Sequence, residues 1–234
     1  MSVLVVAPTY NEVENIGSFI SKLMFLDSEL HVLVIDDGSP DGTADEVRRQ
    51  QQQYPGRVFL QCRPGKLGLV SAYVQGFTWA IEQGVYRTVV QMDTDGQHDI
   101  AFLPAMLAAS SPNTLIIGSR YVKGGQVVGF SLSRRLLSRS ANLYANVIGR
   151  SGVNDSTGAY RVWDIDLLSS IDWSSIKAVG YGGLVEILVL VRRSGGNIIE
   201  MPITFGQRVA GESKMDRRMI FEGMRAIWTT ARTA

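Results

Sequence analysis

Val3-Leu4-Val5-Val6-Ala7-Pro8-Thr9-Tyr10-Asn11-Glu12 is the stretch on which the fold turns. Its first five residues form an unbroken, β-branched apolar run that Pro8 closes, the signature of a strand buried on both faces. Ile16, Phe19, Ile20, Leu23 and Met24 then recur at helical spacing, so a helix with one apolar face follows directly. The turn between strand and helix carries no Gly-x-Gly-x-x-Gly, which excludes a dinucleotide-binding dehydrogenase. A Gly-Lys-Ser/Thr phosphate loop is also missing from the sequence, which excludes a P-loop enzyme.

The strand–helix rhythm repeats. Apolar runs at His31 to Ile35, Val58 to Leu60 and Thr88 to Met92 alternate with amphipathic segments at Thr43 to Gln53 and Leu69 to Glu82. This predicts an α/β fold with a central, mostly parallel sheet flanked by helices. Beyond Leu115-Ile116-Ile117-Gly118 the pattern loosens through Lys123-Gly124-Gly125 into a basic helical stretch from Leu132 to about Ile148. A late strand spans Asn197 to Met201, and a last helix is expected over about Arg217 to Arg232. The 234 residues, 45% of them apolar, suit one domain over residues 1–234.

A formal net charge of +1 gives no polyanion signature, so nucleic acid is not expected as a partner. Cys62 is the one cysteine, read as a buried structural thiol, and no intramolecular disulfide is possible. The amino terminus lacks a basic n-region, so a cytosolic protein is expected. The longest apolar stretch, Gly182 to Val191, is too short to span a bilayer. Any lipid substrate must then be met at the membrane surface or through a partner protein.

Carboxylates gather where ligands bind in open α/β sheets, after the carboxyl ends of parallel strands. Glu12 follows the first strand, Asp36 and Asp37 the second, and Asp93 and Asp95 the fourth. In Gln91-Met92-Asp93-Thr94-Asp95-Gly96-Gln97, an extended backbone would set Asp93, Asp95 and Gln97 on one face as hard oxygen ligands. Such a sparse set suits Mg²⁺ or Mn²⁺ shared with substrate phosphates. Neither His31 nor His98 has a partner at zinc-ligand spacing. Arg120, Arg134, Arg135, Arg139, Arg208 and Lys214 supply phosphate-type donors, although the run around Arg134 is equally readable as a solvated helix face.

Taken together, these segments resemble the family 2 glycosyltransferases of the GT-A fold, and among them the dolichol- or polyprenol-phosphate mannose synthases. The matching stretches are Pro8 to Glu12, Asp36 to Thr43, Met92 to His98, Gly118 to Tyr121, Ser138 to Asn142, Thr157 to Arg161, and Pro202 to Phe205 with Arg208 and Gly211 to Lys214. The resemblance implies that Pro8, Tyr10, Glu12, Asp37 and Lys66 line the nucleotide pocket. It implies Asp93, Asp95 and Gln97 for the metal, Arg208 and Lys214 for the donor diphosphate, and Arg120, Arg134 and Ser138 for the acceptor phosphate. The implied reaction is an inverting, metal-dependent transfer of a hexose, mannose by default, from GDP-mannose to polyprenyl phosphate.

Two departures from the family pattern stand out. Val70 replaces a glycine in Lys66-Leu67-Gly68-Leu69-Val70-Ser71-Ala72-Tyr73, and Gly180-Tyr181-Gly182-Gly183-Leu184 replaces Gly-Tyr-x-Phe-Gln. The alternative reading transfers sugar to a hydroxyl or amine of a soluble acceptor. That chemistry needs a general base, and Asp155 and Glu186 are its candidates. Peripheral membrane contact through the last helix is a further expectation.

Overall fold

Every residue from Val3 to Ala7 is buried, in a strand, β1 (Val3–Thr9), that has neighbours on both sides. This computed structural model describes residues 2–148, 151–176 and 180–207. β1 pairs in parallel with β2 (Leu30–Asp36), which pairs in parallel with β3 (Val58–Cys62). Its other side takes β4 (Thr88–Gln91), also in parallel. β5 (Thr114–Ser119), β6 (Gln126–Val127), β7 (Arg161–Asp164), β8 (Asn197–Pro202) and β9 (Thr204–Phe205) follow along the chain. The large sheet has the order β3-β2-β1-β4-β7-β5-β8, and β6 and β9 form a small parallel pair. The sheet is parallel throughout except at β7, which runs antiparallel to both β4 and β5.

The described helices are α1 (Val13–Leu26), α2 (Thr43–Gln53), α3 (Leu69–Gln83), α4 (Leu103–Ala108), α5 (Leu132–Val147), α6 (Ile165–Ser170) and α7 (Tyr181–Arg193). They cover both faces of the sheet because strand side chains alternate. Val3, Val5 and Ala7 meet α1, α2 and α4 on one face, while Leu4 and Val6 meet α3, α6 and α7 on the other. Ile16, Phe19, Ile20, Leu23 and Met24 are all buried, as their spacing predicts. Each such side chain contributes roughly 1.5–3 kcal/mol when fully buried.

Three expectations are corrected or fall elsewhere. Cys62 is exposed, because β3 is the edge of the sheet and its last residue has no strand outside it. Val70, the departure from a glycine, packs into the core from the first turn of α3. The expected last helix, with Arg208, Lys214 and the loop between them, lies outside the described residues. None of the described helices is long and apolar enough to cross a membrane.

The sheet order places the site. Strand connections run outward in one direction from β1 to β2 and β3, then return across it to β4. The carboxyl ends of β1 and β4 therefore flank a topological switch point, where loops diverge and leave a crevice.

Candidate active site

The residues expected at the nucleotide collect on the β1 and β2 side of this crevice. Tyr10 is half-buried, and the Lys66 ammonium lies 5.1 Å from the centre of its ring. Glu12 is buried, accepting from Asn15 Nδ2 at 2.8 Å, while its backbone N–H donates to Thr43 Oγ1. Asp36 braces its own turn, accepting from Thr9 Oγ1 and from the Ser39 N–H and hydroxyl. Asp37 instead pairs with Arg63 at 2.6 Å and accepts the Leu67 N–H, tying the end of β2 to the loop before α3. Pro8, half-buried, belongs to the last turn of β1 beside them.

The acidic segment does not stay extended. Gly96 has φ +79°, a left-handed conformation that glycine adopts without strain, and the Gln97 N–H turns back to Asp95 Oδ1 at 3.0 Å. Asp93, half-buried, accepts the Tyr73 hydroxyl on Oδ1 at 2.7 Å, and its N–H donates to His98 Nδ1. Burial above all, then the charge of Asp93, pushes the Tyr73 phenol well above its usual range, so it remains a donor. Gln97 Nε2 donates to the Gly206 carbonyl, and the Gly206 N–H donates to the Gln97 carbonyl at 2.9 Å. No group of three or more His, Cys, Asp or Glu exists among the described residues that could hold an ion by themselves. Two carboxylates at a crevice edge fit a hard divalent cation that takes its remaining ligands from water and substrate phosphates.

Arg120, Arg134 and Ser138 come together through aromatic rings. The Arg134 guanidinium lies 3.8 Å from the centre of the Phe130 ring, and Phe130 meets Phe205 edge-on at 5.9 Å. Arg120 lies 5.1 Å from Phe205 and 5.2 Å from Tyr121, whose hydroxyl donates to Ser138 Oγ at 2.6 Å. Phe205 also meets the ring of His98, so this basic, aromatic cluster adjoins the acidic loop. Arg134 and its neighbours lie on α5 because Ser131 caps that helix, accepting the Arg134 N–H.

Several residues here carry signals that reading along the sequence does not combine. Arg63 donates to Asp37, Ser71 Oγ and the Gly68 carbonyl, and it follows a strand end like the carboxylates it serves. Asp155, a candidate base for a hydroxyl acceptor, is wholly buried, and both of its oxygens receive Arg120. That pairing gives the carboxylate a structural partner on each oxygen. Glu200 holds the Asn154 and Asp155 N–H groups, and Thr157 Oγ1 accepts from Arg120. Glu186, the other candidate base, is buried in α7. Arg161 is fully buried and donates to the carbonyls of Ser156, Gly158 and Leu184, and burial lowers its pKa to about 10 against the pull of Asp155.

This architecture recurs in solved structures. Mannosyl-3-phosphoglycerate synthase from Rubrobacter xylanophilus aligns with a TM-score of 0.70 at 19% identity, covering 100% of this chain and 74% of that one. Glucosyl-3-phosphoglycerate synthase from Mycobacterium tuberculosis, in complex with Mn²⁺, UDP-glucose and phosphoglyceric acid, aligns at 0.67 and 19%, covering 99% and 80%. In sequence, an undecaprenyl-phosphate mannosyltransferase of Micrococcus luteus is 39% identical over 224 residues, 96% of this chain and 91% of that one. A polyprenol monophosphomannose synthase of Mycolicibacterium smegmatis is 39% identical over 225 residues, 94% and 83% of the two chains. The family model described as "Glycosyl transferase family 2" matches residues 4–170. With this acidic loop and basic, aromatic cluster side by side on a GT-A sheet, the chain belongs to glycosyltransferase family 2.

Proposed function

We propose that this chain transfers mannose from a nucleoside diphosphate sugar, GDP-mannose, to a polyprenyl phosphate at a membrane surface, using Mg²⁺ or Mn²⁺. The observation that carries the reading is 39% identity, over nearly the whole chain, to two proteins named for mannosyl transfer to polyprenyl phosphates. The Mn²⁺ and UDP-glucose named with a structure of the same fold support the donor and metal classes.

Asp93 and Asp95, with Gln97 beside them, hold the cation, and Pro8, Tyr10, Glu12, Asp37 and Lys66 take the nucleotide. Arg208 and Lys214 complete the grip on the donor diphosphate. A bound divalent cation stabilises the charge that develops on the leaving diphosphate. Arg120, Arg134 and Ser138 hold the acceptor phosphate so that its oxygen attacks the anomeric carbon opposite the departing group, which inverts that centre. A phosphate monoester has a second pKa near ~6 and is already ionised, so no general base is needed. That agrees with a site whose candidate base, Asp155, is committed to Arg120.

The surface supports a lipid acceptor. Leu132, Leu136, Leu143 and Val147 follow one another on α5 at helical spacing and are 84%, 69%, 65% and 64% exposed. They form an outward apolar face spanning about 22 Å, at 1.5 Å per residue and interrupted midway by exposed Arg139, on the helix that carries Arg134 and Ser138. Arg135 and Arg139, both exposed, sit on the same helix and suit anionic headgroups. Membrane contact through this face of α5 would hold at the lipid surface the helix whose other face carries Arg134 and Ser138.

The test is transfer of labelled mannose. Full-length protein with GDP-mannose, Mn²⁺ and undecaprenyl phosphate should yield an organic-extractable, acid-labile product. Label that stays in the aqueous phase with every polyprenyl phosphate and both metals would sink the proposal.

A further inference from the structure

Tyr73 is fully buried on α3, its ring 5.9 Å from Phe77 in a stacked arrangement inside the apolar core. A hydroxyl buried there is costly without an acceptor. It finds Asp93 Oδ1 at 2.7 Å. The reach is made possible by Gly76, one turn further along α3. A Cβ there would lie 2.3 Å from Val6 Cγ1, so only glycine lets α3 come this close to β1. The amino end of α3 is thereby drawn against the carboxyl edge of the sheet, where Asp93 follows β4.

Packing alone would be satisfied by phenylalanine at this position. The hydroxyl adds a contact to one oxygen of a half-buried carboxylate that no second protein donor constrains among the described residues. We propose that Tyr73 is a positioning residue for Asp93, holding that carboxylate in the rotamer from which its other oxygen meets the divalent cation. The inference rests on Asp93 being a metal ligand. Ligating carboxylates are held by hydrogen bonds of their own, and removing such a bond costs about 10–100-fold in metal affinity or activity. The ring supplies rigidity because it is fixed by Phe77 and by the α3–β1 approach, not by the loop that it steadies.

Tyr73→Phe removes one oxygen and keeps the ring. Mn²⁺ binding to full-length protein, in the presence of GDP, is measured by electron paramagnetic resonance or calorimetry, beside thermal melts without metal. The expected result is an unchanged fold, about 10–100-fold weaker Mn²⁺ binding, and a kcat that returns to within a few-fold of the parent once Mn²⁺ is saturating. Asp93→Asn separates the two ideas. If Asp93→Asn loses Mn²⁺ while Tyr73→Phe binds it as tightly as the parent, Asp93 is a ligand but Tyr73 does not position it. If Asp93→Asn binds Mn²⁺ like the parent, Asp93 is not a ligand and the inference falls with that reading.

Discussion

Asp155 gives both carboxylate oxygens to Arg120, Oδ2 to Nε at 2.7 Å and Oδ1 to Nη2 at 2.6 Å, across 35 positions of sequence. The carboxylate is wholly buried and the arginine side chain is 9% exposed, so the pair is shielded from water. Asp155→Ala would take a two-point counter-charge away from a nearly buried guanidinium. Loss of one partner of a buried pair costs about 3–5 kcal/mol, and urea denaturation should register that loss. A change below about 1 kcal/mol would place the pair among surface bridges of little consequence.

Arg63 makes a parallel case on the side proposed for the donor. It is buried and joins Asp37 to the α3 entrance through Ser71 and Gly68, beside the direct Leu67 N–H contact to the same carboxylate. Arg63→Met should lower stability by about 3–5 kcal/mol and raise the KM for the nucleotide sugar at least several-fold, while the acceptor KM stays put. Equal rises in both KM values would contradict a role confined to the nucleotide half.

Alkaline pH should weaken the fold through tyrosines. Burial raises Tyr86 to about 12 and also pushes Tyr160 and Tyr73 upward. Unfolded tyrosines ionise near ~10, so above that pH the unfolded chain gives up protons that the folded chain keeps. Their contribution is therefore complete below about pH 10 and declines as pH rises beyond it. Absorbance at 295 nm should show these phenols ionising only as far-UV ellipticity is lost; titration well before unfolding would refute the burial argument.

The leucine stripe of α5 gives a surface test. Leu136→Glu with Leu143→Glu should reduce co-sedimentation with anionic vesicles at least tenfold. Both sites are solvent-facing, so the melting temperature should move little. Undiminished vesicle binding would direct attention to another surface.

Much of the donor side could be read from local pattern. Five apolar residues at helical spacing specify α1, and continuous apolar runs specify β1, β2 and β4, because neighbours in sequence carry the signal. β7 resists such reading. It is four residues long and begins with Arg161, whose burial is met by two carbonyls of the loop just before it, Ser156 and Gly158, and by one from a distant helix, Leu184. The sequence also suggests an extended Asp93-to-Gln97 face, but the left-handed Gly96 and the Gln97–Asp95 contact fold it back. Cys62 reads as a core thiol by composition, yet strand order alone makes it an edge residue. The Arg120–Asp155 and Tyr73–Asp93 contacts join residues 35 and 20 apart, beyond any periodicity.

The inserted strand β7 also acts as a ruler. Asp93 follows β4 and Arg120 follows β5, and β7 lies between those two strands. At about 4.8 Å per strand, the two edges stand about 10 Å apart. With β4 directly beside β5 that interval would halve. On the proposed roles of Asp93 and Arg120, the width of one extra strand would set the spacing at which a sugar ring lies between the phosphate it leaves and the phosphate it joins.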